Sequence, residues 1–197
     1  MCAKNIMISA SNNFYYIFDA EGTLFFTDDL NNESYNYALL ENNLQPIANR
    51  HRITRKTIID VYNLLNKSQL DKIIQQKQEY FINHIDKISG NHLLFNILSK
   101  IDKNKSILWT ASDRKKMEHV LSNFNMKFYF KEIIFSDKKD ISKDLKKFCD
   151  FFHCTHEQLL IFENDISIAE ELNILRINCL LGSADIEKNL DWGKAYE

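Results

Sequence analysis

Nothing in this 197-residue sequence approaches the roughly 18 consecutive apolar residues that mark a membrane-spanning helix. The opening Met1-Cys-Ala-Lys-Asn-Ile-Met holds one lysine and no sustained apolar segment, so a secretory signal is not expected. Net charge is nearly absent. The 25 Lys and Arg stand against 27 Asp and Glu, a formal balance of -2, which leaves no general footprint for nucleic acid or an anionic membrane. A small-molecule partner is favoured by elimination, and oligomeric state is unreadable. The four cysteines, Cys2, Cys149, Cys154 and Cys179, lack CxxC spacing, so free thiols in a reducing cytoplasm are expected rather than disulfides or a zinc site. Proline occurs once, and there is no internal repeat or low-complexity linker. With 45% hydrophobic and 26% charged residues, the chain suits one sizeable domain, or a core with a smaller insertion.

What is present is concentrated first in Phe14 to Phe26. Five apolar and aromatic residues, Phe14 to Phe18, without polar alternation, suit a strand covered on both faces in a parallel sheet. Asp19 then falls at the strand's carboxyl end, where open α/β sheets bind ligands. Glu21 follows two residues on, and Gly22 permits a turn that a residue with a Cβ would resist. Two carboxylates in so short a turn repel unless a positive charge lies between them. A bound Mg²⁺ would meet that demand.

Beyond the acidic segment at Asp28 and Asp29, apolar spacing from about Glu33 to Ile88 is helical: Tyr37, Leu40 and Leu44, then Ile58, Tyr62 and Leu65, then Leu70, Ile73 and Ile74, and finally Phe81, Ile85 and Ile88. Pro46 interrupts it, and Ser68 with Asp71 predicts a fresh helix start. From Ser89-Gly90 onward, strands alternate with helices. Strands are expected at Ser106–Thr110, Glu132–Ser136, Leu159–Phe162 and Ile177–Leu181, with helices between them, Ser112 capping one. A small helical bundle inserted into an α/β domain is the resulting expectation.

Asp19-Ala-Glu21-Gly22-Thr23-Leu24 resembles the first motif of the haloacid dehalogenase-like (HAD) superfamily, DxDGT, with Glu in place of the second Asp. The other motifs follow in the family's order. Ser106-Ile-Leu-Trp-Thr110 resembles the second, Lys138-Lys139 and Lys143 the third, and Glu163-Asn164-Asp165 the fourth. The resemblance implies a Rossmann-like parallel-sheet core at 1–27 and 90–197 and an all-helical cap at 28–89. It implies a Mg²⁺-dependent phosphatase acting on a small phosphorylated metabolite through an aspartyl phosphate. A phosphomutase and a non-catalytic phosphate-binding member are the alternatives; a dehalogenase carries Tyr rather than an acid at the Glu21 position.

By this resemblance Asp19 is the nucleophile and Glu21 the general acid and base. Thr110 and the backbone at Ala111 hold phosphoryl oxygens, and Lys139, six residues before Leu145, neutralises charge. Asp19, Glu21 through its carbonyl, and Asp165 would ligate Mg²⁺, with Asn164 neutral where Gly or Glu is common. The basic cluster that includes Arg50 and Arg52 resembles a substrate-specificity loop, able to pair with a second anionic group.

Overall fold

A computed structural model describes residues 14–48 and 51–182. Arg50 and Cys2 therefore lie outside the described residues. These divide into two compact units: one takes 14–24, Asn91–Ser112 and 127–182, the other 25–48, 51–90 and Asp113–Met126.

The first unit is built on five parallel strands: β1 (Tyr15–Asp19), β4 (Ser106–Thr110), β5 (Glu132–Phe135), β6 (Leu159–Glu163) and β7 (Asn178–Leu181), ordered β5-β4-β1-β6-β7. The numbering leaves room for a two-residue pair elsewhere, β2 (Phe25–Phe26) and β3 (Ser89–Gly90). β1 is central because its side chains have cover on both faces: Ile17 and Phe18 are wholly buried, and the Phe18 ring stacks on Phe162 at 4.5 Å. The chain builds outward on one side of β1 through β4 and β5, then crosses to the other for β6 and β7. That reversal makes the carboxyl end of β1 the switch point of the sheet.

Around the sheet lie α4 (His92–Lys100), α6 (Ile141–Phe152) and α7 (Ile166–Ile174). The α6 helix shows why. Ile141, Leu145, Phe148 and Phe152 recur at helical spacing and bury one face against Ile17, Ile107, Trp109 and Ile161. Asp140 caps its start by accepting from the Lys143 N–H, and His153 ends it in the left-handed region at φ 53°.

The second unit holds α1 (Asp28–Glu41), α2 (Arg55–Val61), α3 (Lys67–Asn83) and α5 (Arg114–Asn123), together with the antiparallel pair β2 and β3. Its core joins Tyr35, Ala38, Leu39, Ile53, Ile58, Leu70 and Ile73. The buried face of α1 departs from the spacing expected of Tyr37 and Leu40, which are exposed. Asn31 and Ser34 take buried places by donating to the carbonyls of Ile53 and Leu30, so the inward stripe is partly polar and hydrophobic periodicity misses it. Likewise α3 starts two residues before the predicted Ser68: Asn66 and Gln69 form a reciprocal capping box. Ser112 does not cap α5; Asp113 does, accepting from the Lys116 N–H. Among the described residues no helix is long and apolar enough to cross a membrane, and Cys149 and Cys154 are free thiols.

Candidate active site

Two strands end on an acid at the same level. An apolar run closes on Asp19 in β1 and another closes on Glu163 in β6, and the parallel register that pairs Phe18 with Phe162 sets the two acids side by side. Both are buried, so a cation is required nearby.

Lys138 supplies it. Its Nζ lies 2.6 Å from Asp19 Oδ1 and 2.7 Å from Glu163 Oε2, with a side chain only 6% exposed. Lys139, expected in this role, is 82% exposed and pairs with Asp137 on the surface. The reason is local: Lys138 adopts φ 54°, in the left-handed region, and its N–H donates to Ser136 Oγ, turning the chain so that successive side chains diverge. Beneath the ammonium lies the Trp109 ring, with its centroid 4.2 Å away. Trp109 Nε1 donates to buried Asp144, which also accepts from Ser136 Oγ and, at 2.7 Å, from Lys147. The loop that carries Lys138 is thus held at Ser136 and at the indole beneath its tip.

Charge is unevenly matched in this cluster: one ammonium serves two carboxylates. Glu163 Oε1 also accepts backbone N–H groups from Asn164 at 2.8 Å and Asp165 at 3.0 Å. Burial pushes Asp19 up to about 7, with Lys138 opposing the rise and Glu163 adding to it. Burial also works against the charge on Lys138, but Asp19 and Glu163 outweigh it and raise its pKa, so the ammonium stays charged.

Glu21 and Thr110 complete the edge. Ser112 Oγ donates to Glu21 Oε2 at 3.0 Å, tying the first acidic turn to the turn that follows β4. Thr110 is buried and its Oγ1 accepts from the Ser112 N–H at 3.1 Å; Ala111, between them, is exposed. Arg52 belongs to the helical unit, where its guanidinium donates to Asp28 and to Thr27 Oγ1.

Asp165 does not join Asp19. It is the N-cap of α7, its Oδ1 accepting from Ser167 N at 2.8 Å and Ser167 Oγ at 2.6 Å, and the Ser167 bond holds its pKa below the usual range. Asn164 is the residue that reaches the first motif: Thr23 Oγ1 lies 3.1 Å from its side chain. Lys138, Glu163 and Asn164 are therefore the site residues that motif spacing passes over. For Glu163 a signal was available, since it follows the apolar run of β6 as Asp19 follows that of β1.

The metal-binding set expected from the sequence is thereby incomplete. Asp19 and Glu163 offer carboxylates that share Lys138, Glu21 a backbone carbonyl and Asn164 a neutral amide. No group of three His, Cys, Asp or Glu among the described residues could hold a metal ion. These donors do not make the acidic Mg²⁺ site that the resemblance implies.

No protein-family profile matches the chain, and no curated protein does. Solved structures do. A HAD-superfamily hydrolase of subfamily IA from Geobacter sulfurreducens superposes with a TM-score of 0.67 at 11% identity, covering 88% of this chain and 90% of that one. CbbY from Rhodobacter sphaeroides, in complex with xylulose-1,5-bisphosphate, gives 0.66 at 15% identity over 85% and 84%. A hydrolase from Pseudomonas syringae gives 0.65 at 13% identity over 91% of both. With β1 at the centre of a parallel sheet and an acid on its carboxyl end, the chain has the α/β fold of the HAD-superfamily hydrolases.

Proposed function

We propose that this protein is a phosphoric monoester hydrolase in which Asp19 accepts the phosphoryl group of a small phosphorylated metabolite. The observation that carries this reading is the buried Lys138 ammonium, 2.6 Å from the carboxylate at the switch point of the sheet. A nucleophilic carboxylate and a fixed cation within reach of the same substrate oxygens are the two groups that phosphoryl transfer needs most. The CbbY structure, with a sugar bisphosphate bound, supports the substrate class.

In this scheme an Asp19 oxygen attacks phosphorus, a P–O(Asp) bond forms, and the ester P–O bond breaks. The departing oxygen takes a proton from Glu21, whose carboxyl Ser112 orients. Glu21, now ionised, takes a proton from water as that water attacks phosphorus, releasing phosphate and restoring Asp19. General acid and base help of this kind is worth about 10² to 10⁴ in rate. Lys138 meets the charge on the phosphoryl oxygens, and the turn at Thr110 and Ala111 offers backbone N–H groups to the same oxygens. Mg²⁺ bound at such a site in the resembled family adds further charge neutralisation. The remaining groups of the substrate are the task of the inserted helices in that family, and Arg52 is committed there to Asp28 and Thr27.

Hydrolysis of p-nitrophenyl phosphate and of a panel of sugar, nucleotide and small-acid phosphates tests the proposal, with Asp19→Asn as control. Phosphate release by the wild type that is lost in the variant is expected. Equal release by both would remove Asp19 from the reaction.

A further inference from the structure

The strongest unexplained feature is the packing of Asn164. One terminal atom of its side chain lies 3.2 Å from Asp19 Oδ2, 3.0 Å from the Glu21 carbonyl oxygen and 3.2 Å from Glu163 Oε1. All three neighbours are acceptors, so hydrogen bonds form only if that atom is the amide nitrogen; an amide oxygen there would face three other oxygens. Thr23 Oγ1, 3.1 Å away, can accept as well. The Glu21 carbonyl at 3.0 Å is the nearest acceptor and takes one N–H; the other N–H lies within 3.2 Å of Thr23 Oγ1, Asp19 Oδ2 and Glu163 Oε1.

Gly22 forms the wall of this seat. Its φ is 83°, and a Cβ placed on it would stand 2.2 Å from the other terminal atom of the Asn164 carboxamide and 2.7 Å from its Cγ, so the absent side chain makes the space that the carboxamide fills. The charge count agrees. Asp19 and Glu163 share the single ammonium of Lys138. A carboxylate at 164 without a cation would bring a third negative charge within about 3 Å of both, whereas an amide donates to them and adds none. Asp165, the neighbouring acid, is occupied at the start of α7.

We infer that the Asn164 carboxamide occupies, as a hydrogen-bond donor, the seat between Asp19 and the Glu21 carbonyl that the resemblance reserves for a divalent cation. Asp19 is then held on both oxygens by the chain itself, Oδ1 by Lys138 and Oδ2 by Asn164. A cation in the same seat would require the reverse orientation, with the amide oxygen turned inward, and the two states differ measurably.

The test is Mn²⁺ uptake by the chelator-treated full chain, followed by the loss of the free-ion electron paramagnetic resonance signal. Wild type should leave Mn²⁺ free through the millimolar range, and Asn164→Asp should bind about tenfold or more tightly, a change of about 1.4 kcal/mol or more. Uptake of one Mn²⁺ per chain by wild type as tight as by the variant would overturn the inference. Should Asn164→Asp fail to fold, the wild type still decides: the Asn164 side-chain amide pair in a ¹⁵N spectrum should stay in place when Mg²⁺ is added. A saturable shift of that pair would contradict the inference. Hydrolysis strictly dependent on Mg²⁺ would overturn it too, while leaving the assignment of Asp19 intact.

Discussion

Ion pairs in the helical unit and at the carboxyl edge of the sheet differ in burial, and burial decides what they do. In the helical unit Arg52 meets Asp28, Arg55 meets Asp71, Lys56 meets Asp60 and Lys87 meets Glu33, all with at least one partner half-exposed or nearly so. Water screens such pairs, and each is worth about 0.2–1 kcal/mol. At the carboxyl edge of the sheet Lys138, Asp19 and Glu163 have side chains 6%, 8% and 1% exposed. There the desolvation of each charge is large, and the loss of one partner leaves the others uncompensated. In the proposed reaction this cluster supplies the nucleophile and the cation, whereas the surface pairs lend local support.

Removal of the shared cation should therefore break the contrast most sharply. Lys138→Met is expected to cost about 3–5 kcal/mol in urea unfolding, because two buried carboxylates lose their ammonium, and to abolish phosphate release. Trp109→Phe comes next. It takes away the N–H that Asp144 accepts while keeping most of the ring beneath Lys138, so a loss of about 1–3 kcal/mol and a fall in kcat larger than the change in KM are expected.

Asp19 gives the comparison a pH axis. Its folded pKa is raised from 3.8 to about 7, chiefly by burial. The folded state thus holds this proton more tightly than the unfolded state does, and the stability it contributes is full below about pH 4 and lost as pH rises through about 7. Urea midpoints of chelator-treated wild type, measured relative to Asp19→Asn, should fall between pH 4 and pH 7; a difference that is flat across that window would contradict the burial argument.

The smallest effects belong to exposed charges. A double-mutant cycle on Arg52 and Asp28 should give a coupling of about 0.2–1 kcal/mol that shrinks with added salt. Lys139→Ala, one residue from the critical lysine, should change stability by less than about 0.5 kcal/mol and leave the rate as it is.

The sheet was legible because its signal is hydrophobic and local. The apolar runs ending in Asp19 and Thr110 predict β1 and β4, and the helix of Leu145, Phe148 and Phe152 announces itself by spacing. The site was legible only where a residue ends a strand. Whether Lys138 or Lys139 points inward depends on one left-handed φ and a hydrogen bond from the Lys138 N–H to Ser136 Oγ, which no spacing rule encodes. Asp165 caps α7 through Oδ1, a local role that motif spacing does not encode. The inward face of α1 was lost because Asn31 and Ser34 are buried by hydrogen bonds rather than by apolarity.

The most direct test of the central claim, that Asp19 receives the phosphoryl group, is to trap it. Wild-type protein turning over p-nitrophenyl phosphate would be quenched, reduced with borohydride and digested, and the peptide carrying residue 19 analysed by mass spectrometry. The account predicts conversion of Asp19 to the corresponding alcohol, since an acyl phosphate is reduced and a free carboxylate is not. Turnover with Asp19 left unmodified, or with the reduced group on another acid, would contradict it.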